Sequence, residues 1–233
     1  MSWNYQHRIP RRTKVYIVLV IKSLVINEIF YSIQGETSRS GLPTHFIRLT
    51  GCPLRCSYCD TEYAFNSGSK MSFKEILSKL NKETTKYITV TGGEPLSQKN
   101  VLSFMKDLCD LNYSVSLETS NAVPIDDVDS RVSIILDIKT PGSNESDKNL
   151  TSNYSKLKKS DEVKFVICNF EDFTWSVNYI KNYNLTDYCS VIFSPSYNEM
   201  SLSELADLIL KNSLNVRLQT QLHKNIWGEV NGK

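Results

Sequence analysis

The sequence predicts an α/β fold, a partial TIM-like βα barrel that is open and shortened. Short β-branched or aromatic segments alternate along the chain with segments of helical spacing, a pattern typical of βα units around a parallel sheet. A complete barrel of eight such units takes about 250 residues. Residues 27–233 number only 207, so we expect one domain whose barrel does not close.

The predicted elements follow one another in a regular order. The strands are Thr44–Thr50, Lys86–Thr91, Tyr113–Thr119, Val132–Ile138, Glu162–Cys168, Ser190–Phe193 and Asn215–Leu218. One helix begins after Ser72, and the others span Lys99–Leu111, Glu171–Tyr183 and Ser201–Asn212. Ser72 and Ser201 are each followed three residues later by Glu, the capping-box pattern of a helix start. Thr140–Ser155 is rich in Ser, Asn and Lys and predicts one exposed loop.

Residues 1–26 are predicted to be a basic extension outside this core, with an extra first strand or a targeting segment as the alternatives. They contain five basic residues and no acidic one. Their apolar run, Val15–Ile21, is too short to span a bilayer, which takes about 20 residues, so we expect no membrane association. The net charge of the whole chain is +2, which disfavours nucleic-acid binding.

In folds of this class the chemistry lies where parallel strands end and loops begin. Arg48 lies near the end of the first predicted strand and Glu118 near the end of the third. Asp137 and Lys139 follow in the same position on the fourth strand, and Gln219 follows the last. These side chains are therefore candidates for one shared site.

Three of the six cysteines, Cys52, Cys56 and Cys59, fall within eight residues, while the other three are scattered. This spacing indicates a metal or cluster site in a reducing compartment, and we expect a cytoplasmic location. Structural zinc takes four ligands, normally as two pairs, so a zinc site would need His45 or a carboxylate as well. A 4Fe–4S cluster on three cysteines leaves one iron open to a small molecule, and such a cluster delivers one electron.

This cysteine triplet, with Tyr58 before its last member, resembles the signature of the radical S-adenosylmethionine (radical SAM) superfamily. Gly92-Gly93-Glu94-Pro95, which directly follows the strand Tyr87–Thr91, resembles the GGE element of that superfamily. The resemblance implies a partial barrel of the radical SAM type that holds a 4Fe–4S cluster and S-adenosylmethionine.

Further segments resemble the 7-carboxy-7-deazaguanine synthase family over residues 27–224. They are Ile29–Thr37, Phe46–Cys52, Cys59–Thr61, Leu117–Ser120 and Gln219–Lys224. In that family 6-carboxy-5,6,7,8-tetrahydropterin is converted to 7-carboxy-7-deazaguanine with loss of ammonia, on the route to queuosine and related deazapurines. The resemblance also implies Mg²⁺, a homodimer and a flavodoxin- or ferredoxin-type electron donor.

The resemblance implies a role for each matching position. The cluster ligands would be Cys52, Cys56 and Cys59. S-adenosylmethionine would lie against Tyr58, Asp60, Gly92, Gly93, Glu94, Ser120, Asp137, Ile138 and Lys139. The pterin would lie against Ile33, Gln34, Gly35, Arg48, Thr91, Glu118, Gln219 and His223. Thr61 would give Mg²⁺ its one protein oxygen, as suits a hard cation that keeps its waters.

Physical chemistry supports two of these roles directly. A guanidinium such as that of Arg48 suits a substrate that carries a carboxylate. A carboxylate such as that of Glu118 accepts hydrogen bonds from the amino and ring N–H groups of a pterin. No side chain is assigned as a catalytic acid or base, because the radical is generated on the cofactor.

Two alternatives remain open at this point. An activating enzyme for a glycyl-radical enzyme uses the same cysteine spacing, but Arg48 and Glu118 have no evident task there. A non-catalytic zinc-binding interaction module would use the cysteines for structure alone. Metal content separates the zinc module from the two radical enzymes. A cluster contains about four irons, whereas the module contains one zinc.

Overall fold

A computed structural model describes residues 22–228, 230 and 232, and within them nine strands form a single sheet. The strands are β1 (Ser23–Ile33), β2 (Pro43–Leu49), β3 (Ser69–Ser72), β4 (Tyr87–Gly92), β5 (Ser114–Thr119), β6 (Ser133–Ile138), β7 (Glu162–Ile167), β8 (Ser190–Pro195) and β9 (Arg217–Leu218). Their order in the sheet is β3-β1-β2-β4-β5-β6-β7-β8-β9. The edge strands β3 and β9 do not pair with each other, which confirms the predicted open barrel.

Strand direction divides the sheet into two parts. From β2 through β4 to β9 every neighbouring pair is parallel, whereas β1 pairs antiparallel with both β2 and β3. Parallel strands require crossover connections, and helices provide several of them. All the parallel strands therefore end at one edge of the sheet, where a site can form.

The helices are α1 (Phe73–Leu77), α2 (Val101–Asp110), α3 (Phe170–Tyr183), α4 (Leu185–Tyr188), α5 (Leu202–Lys211) and α6 (Leu222–Trp227). The Ser72 side chain accepts a hydrogen bond from the Glu75 N–H, and the Glu75 carboxylate accepts one from the Ser72 N–H. The predicted capping box is therefore confirmed. Ser201 likewise accepts the Glu204 N–H. No helix in the described part of the chain is long and apolar enough to cross a membrane.

Two apolar clusters hold the helices against the sheet. One joins α2 to β1, β2, β4 and β5 and is centred on fully buried side chains such as Phe104 and Ile47. The other joins α3 and α5 to β6, β7 and β8 around Phe165 and Phe193. Because both clusters lie along the body of the sheet, the strand ends are left free for polar groups.

The sheet begins before the predicted domain boundary. β1 starts at Ser23, and Leu24 and Ile26, which were assigned to the extension, are 2% and 3% exposed. Residues 1–21, including the apolar run Val15–Ile21, lie outside the described residues. β3 was missed as a strand because its four residues, Ser69–Ser72, include only one apolar side chain. β1 is rich in apolar residues but spans the predicted boundary between the extension and the core.

The prediction of one exposed loop over Thr140–Ser155 is wrong in part. This segment forms three short 3₁₀ turns, and Thr140, Ser143 and Asn153 are fully buried. The Asn153 side chain donates to Asn121 Oδ1 at 2.9 Å and accepts the Ile125 N–H at 3.2 Å. Part of the polar composition here reflects buried side chains that satisfy other polar groups, while other polar residues of the segment, such as Asp147 and Lys148, are exposed.

Candidate active site

A cavity of about 580 Å³ opens at the carboxyl ends of the parallel strands. It is bounded by the cysteine loop, by the loop after β1 and by α6. Most of the predicted site residues line it: Ile33, Gln34, Arg48, Cys52, Cys56, Tyr58, Cys59, Asp60, Thr61, Thr91, Gly92, Gly93, Glu118, Ser120, Asp137, Lys139 and His223. The structure thus brings together residues that are up to 190 positions apart in the chain.

The parallel register sets the relative positions of the polar side chains. Arg48 on β2 lies opposite Thr91 on β4, and the Thr91 hydroxyl donates to Glu118 Oε2 on β5 at 2.8 Å. Asp137 on β6 lies opposite Lys164 on β7. One row of neighbouring strand ends therefore presents a cation at each end, Arg48 and Lys164, with polar and acidic side chains between them.

The Gly92–Gly93 turn allows the end of β4 to lie against the cysteine loop. A Cβ added to Gly93 would stand 2.2 Å from the Gly51 carbonyl oxygen and 2.8 Å from Cys52 Cβ. Gly92 has a φ of +142°, which favours glycine. The Glu94 N–H then donates to the Gly51 carbonyl at 2.8 Å. The two glycines fix where the cysteine loop begins.

The three cysteines of this loop are free and partly exposed in the cavity. Burial raises the pKa of each thiol, to about 11 for Cys56, while the Lys139 ammonium acts in the opposite direction on all three. Within the described residues, no three His, Cys, Asp or Glu side chains are gathered closely enough to hold a single metal ion. Three soft thiolate donors beside one buried cation fit an iron–sulfur cluster.

The far wall beside the cysteines contains unpaired polar atoms. Lys139 Nζ is 2.9 Å from Asp137 Oδ2 and 5.9 Å from the centroid of the Tyr58 ring. Tyr58 Oη and Asp137 Oδ1 are buried, and neither has a hydrogen-bond partner in the described part of the chain. A buried polar atom without a hydrogen-bond partner lowers the stability of the fold by about 1–3 kcal/mol. These atoms fit the polar groups of a cofactor such as S-adenosylmethionine.

The opposite end of the cavity contains Glu118 and Arg48. Burial raises the pKa of Glu118, and the nearby Glu36 carboxylate adds to this effect. Arg48 Nε donates to Glu28 Oε1 at 2.7 Å, and its guanidinium lies 5.8 Å from the Phe30 ring centroid. A planar cation and a partly buried carboxylate therefore face the same space.

Sequence reasoning missed a partly buried ion pair in this cavity, that of Lys164 with Glu36. Burial acts to lower the pKa of Lys164, but Glu36, Asp137 and Glu118 raise it above its ordinary value. Gln221 Nε2 donates to the other Glu36 oxygen at 2.9 Å. A signal was available, because Lys164 is a charged residue flanked on both sides by apolar residues of the strand.

Helix α6 touches both ends of the cavity. His223 packs on Gly35 so closely that a Cβ there would lie 2.0 Å from His223 Nδ1, and burial lowers the pKa of the imidazole. Lys224 Nζ binds Asp60 Oδ2 at 3.0 Å. Burial acts to raise the pKa of Asp60. Lys224 and the Thr61 hydroxyl outweigh this effect and hold the pKa of that carboxyl well below its ordinary value.

Four predicted site residues do not line the cavity, namely Gly35, Glu94, Ile138 and Gln219. The Glu94 carboxylate is fully buried and accepts the Ser120 N–H at 2.7 Å and the Ser120 hydroxyl at 2.6 Å. Gln219 instead binds the backbone of Thr37, at 2.7 Å and 3.0 Å, and Ile138 is buried in the core. The Glu94 and Gln219 side chains position their neighbours, because protein groups already take up their polar atoms.

Comparisons with known proteins agree with this geometry. Residues 46–210 match the radical SAM superfamily. A 7-carboxy-7-deazaguanine synthase of Chlorobaculum tepidum is 41% identical over 207 residues, covering 88% of this chain and 94% of the relative. One of Thermoplasma acidophilum is 34% identical and covers 90% of this chain and 100% of the relative.

The fold has its own match. The crystal structure of QueE from Escherichia coli superposes with a TM-score of 0.71 at 21% identity, covering 86% of this chain and 95% of that one. The shared name of the relatives favours the 7-carboxy-7-deazaguanine synthase prediction over the glycyl-radical activating enzyme and the zinc module. The chain therefore belongs to the radical SAM superfamily and, within it, to the 7-carboxy-7-deazaguanine synthase family.

Proposed function

We propose that this chain converts 6-carboxy-5,6,7,8-tetrahydropterin to 7-carboxy-7-deazaguanine with loss of ammonia, in 7-deazapurine (queuosine-type) biosynthesis. The observation that carries the proposal is the single cavity that joins Cys52, Cys56 and Cys59 at one end to Arg48 and Glu118 at the other. A radical formed on a cofactor acts only on a substrate held beside it, so the two binding sites must share one space.

The substrate end fits a pterin that carries a carboxylate. The Arg48 guanidinium suits a carboxylate, which it can bind through two parallel N–H groups. Glu118, with Thr91 and Gln34 as its hydrogen-bond partners, accepts the amino and ring N–H groups of the pterin. Ile33 and His223 complete the wall around the rings, and Gly35 allows the close approach of His223.

The cofactor end fits a 4Fe–4S cluster and S-adenosylmethionine. Cys52, Cys56 and Cys59 hold the cluster, and Tyr58 and Asp137 offer their unpaired oxygens to the cofactor. The remaining contacts come from Asp60, Gly92, Gly93, Ser120 and Lys139. The bound cofactors supply one-electron chemistry that side chains lack. The chain itself binds, orients and shields the reacting groups from water.

Thr61 supplies the protein oxygen for Mg²⁺. Its hydroxyl donates to Asp60 Oδ1 at 2.8 Å, which leaves the oxygen lone pairs directed elsewhere. Mg²⁺ keeps several waters and takes few protein ligands, so one hydroxyl beside a carboxylate-bearing substrate suffices. The Thr61→Val variant should raise the Mg²⁺ concentration needed for half-maximal activity, while its iron content stays unchanged. An unchanged Mg²⁺ titration would remove Thr61 from this role.

The electron comes from a flavodoxin- or ferredoxin-type donor, which the partly exposed cysteine loop allows to approach. A second copy of the chain covers the exposed side chains of Tyr31 and Trp227, which border a small cavity. All six cysteines are free, which supports a reducing compartment such as the cytoplasm. Light scattering after size exclusion measures the oligomeric state, and a monomer would contradict the homodimer.

The decisive experiment supplies every proposed component at once. Protein reconstituted anaerobically with iron and sulfide is incubated with the carboxytetrahydropterin, S-adenosylmethionine, Mg²⁺ and a reductant, and the products are identified by mass spectrometry. We expect a deazaguanine and ammonia in equal amounts. An Asp147→Ala variant, changed at an exposed residue, serves as the preparation control. Cleavage of S-adenosylmethionine without a deazaguanine product would contradict the proposed substrate.

A further inference from the structure

Residues 140–149, here named the clamp segment, contact the backbone of the cysteine loop. The Ser57 N–H donates to the Ser143 carbonyl at 3.1 Å, and the Ser57 hydroxyl donates to the Gly142 carbonyl. The Arg55 N–H donates to Glu145 Oε1 at 2.5 Å. Two backbone positions between Cys52 and Cys59 are therefore held by one neighbouring segment.

The clamp segment is in turn held by Asp172 of α3. This carboxylate is 1% exposed and accepts the Gly142 N–H at 2.8 Å and the Thr140 hydroxyl at 3.0 Å. A Cβ on Gly142 would stand 2.4 Å from Asp172 Oδ2, so only glycine permits this approach. At its other end Asn149 exchanges two hydrogen bonds with the Lys139 backbone, at 2.9 Å and 2.8 Å.

Capping of α3 does not by itself explain Asp172. A carboxylate in the first turn of a helix is stabilising because of the helix dipole. The cap of α3 is already made by Asn169, whose side chain accepts the Asp172 N–H at 2.9 Å. Two of the three donors to the Asp172 carboxylate belong to the clamp segment, and only the Cys168 N–H is local.

We propose that Asp172 and Glu145 are positioning residues that hold the cysteine loop in its cluster-binding arrangement before the cluster arrives. A loop that is already held loses less conformational entropy when its three thiolates bind iron, so the bound cluster is retained longer. The same segment holds Lys139, and so it sets the cysteine loop and the S-adenosylmethionine wall relative to each other. This inference rests on the proposed assignment of the three cysteines as cluster ligands.

The test measures how fast the reconstituted holoenzyme loses iron to a ferrous chelator under anaerobic conditions. Glu145→Ala removes one acceptor and should speed iron loss about two- to tenfold, the range that the net worth of one hydrogen bond implies. Glu145→Gln retains an acceptor oxygen and should lose iron at the wild-type rate. Asp147→Ala changes an exposed carboxylate of the same segment, paired only with Lys148, and should also match the wild type.

Asp172→Asn probes the buried end of the clamp segment. Its amide cannot accept from all three donors, so we expect iron loss to be faster by about tenfold or more, with an altered electron paramagnetic resonance spectrum of the reduced cluster. Thermal unfolding of the cluster-free variant shows whether it folds. If it does not fold, the comparison of Glu145→Ala with Glu145→Gln decides whether the clamp segment retains the cluster.

The outcomes separate this inference from the proposed function. If the wild-type chain binds no four-iron cluster, the proposed function and the clamp both fail. If the wild type holds the cluster while Glu145→Ala and Asp172→Asn lose iron at its rate, only the clamp fails. Equal acceleration by Glu145→Ala and Asp147→Ala would also overturn it, because the effect would then be one of charge alone.

Discussion

The two ends of the cavity differ in how their polar groups are satisfied. At the substrate end the two cations are paired within the protein, Arg48 with Glu28 and Lys164 with Glu36, and Glu118 accepts hydrogen bonds from Thr91 and Gln34. At the cofactor end Tyr58 Oη and Asp137 Oδ1 are buried without partners in the described residues, and three thiols are free. Side chains that are paired within the protein keep their positions without a ligand. Buried polar atoms without partners gain their missing hydrogen bonds only when a ligand binds.

This difference follows from where the groups lie. The substrate end is built mainly on strand ends, whose register fixes neighbours such as Arg48 and Thr91. The cofactor end is built on a loop that needs Gly92, Gly93 and the clamp segment to hold it. Changes at the cofactor end should therefore affect cofactor retention first, and changes at the substrate end should affect substrate affinity first.

The largest expected effect is at the cofactor end. Cys56→Ala removes one of three thiolate ligands, so iron content should fall from about four per chain to near zero, and product formation should stop. Iron and sulfide analysis after anaerobic reconstitution measures this. Cys109→Ala, which changes a buried cysteine of α2, should keep its irons. A Cys56→Ala variant that retains its cluster and activity would refute the assignment of the cofactor end.

At the substrate end, Glu118→Gln should lower kcat/KM for the pterin about 10- to 100-fold. The charge-assisted hydrogen bonds to the substrate are lost, and bonds of that kind contribute about 1.5–3 kcal/mol. Steady-state kinetics measures the loss. Iron content and S-adenosylmethionine binding should stay at wild-type values, and Glu171→Gln, at an exposed position of α3, should leave all three unchanged. A loss of S-adenosylmethionine binding in Glu118→Gln would contradict the separation of the two ends.

The next prediction concerns the contact between His223 of helix α6 and Gly35 at the substrate end. Gly35→Ala places a Cβ against His223 and should raise KM for the pterin about tenfold, since overpacking costs about 1–3 kcal/mol. His223→Ala removes the opposing ring. The double variant should therefore lose less than the sum of the two single losses, although a Cβ at Gly35 would still lie 2.9 Å from the His223 backbone nitrogen. Additive effects of the two substitutions would show that the contact between them does not matter.

The smallest effect concerns stability and pH. Burial and Glu36 raise the pKa of Glu118 above its ordinary value of 4.5, so the folded chain holds this proton more tightly than the unfolded chain does. Charged Glu118 therefore lowers stability increasingly as pH rises above 4.5 toward the raised pKa. Glu118→Gln should raise the Tm at pH 7 by about 2–4 °C and change it little at pH 4.

Thermal unfolding of the cluster-free protein at the two pH values checks this. A Tm of Glu118→Gln that follows the wild type at both values would mean that solvent or a neighbouring cation already neutralises the carboxylate. Water would then reach the Glu118 carboxylate in the folded chain more easily than the raised pKa of this group indicates.

Much of the fold was predictable from short-range patterns. The alternation of apolar segments predicted the parallel strands β2 and β4 to β9, and the Ser–Glu spacing predicted the start of α1 and of α5. The Thr140–Ser155 segment failed because composition alone cannot separate a solvated polar residue from a buried one that satisfies the backbone. Asn153 and Asp172 look like loop or cap residues until their partners are known.

By itself the sequence determined the donor set: three thiols within one loop, a Gly-Gly turn after a strand, and polar residues after strand ends. Spacing along the chain decides these features. Only the tertiary structure decided which charges face each other. The Lys164–Glu36 pair joins β7 to the loop after β1, and Glu94 turns to Ser120 rather than to the cavity. Such contacts depend on strand register and on packing between residues 26 and 128 positions apart, which no local pattern encodes.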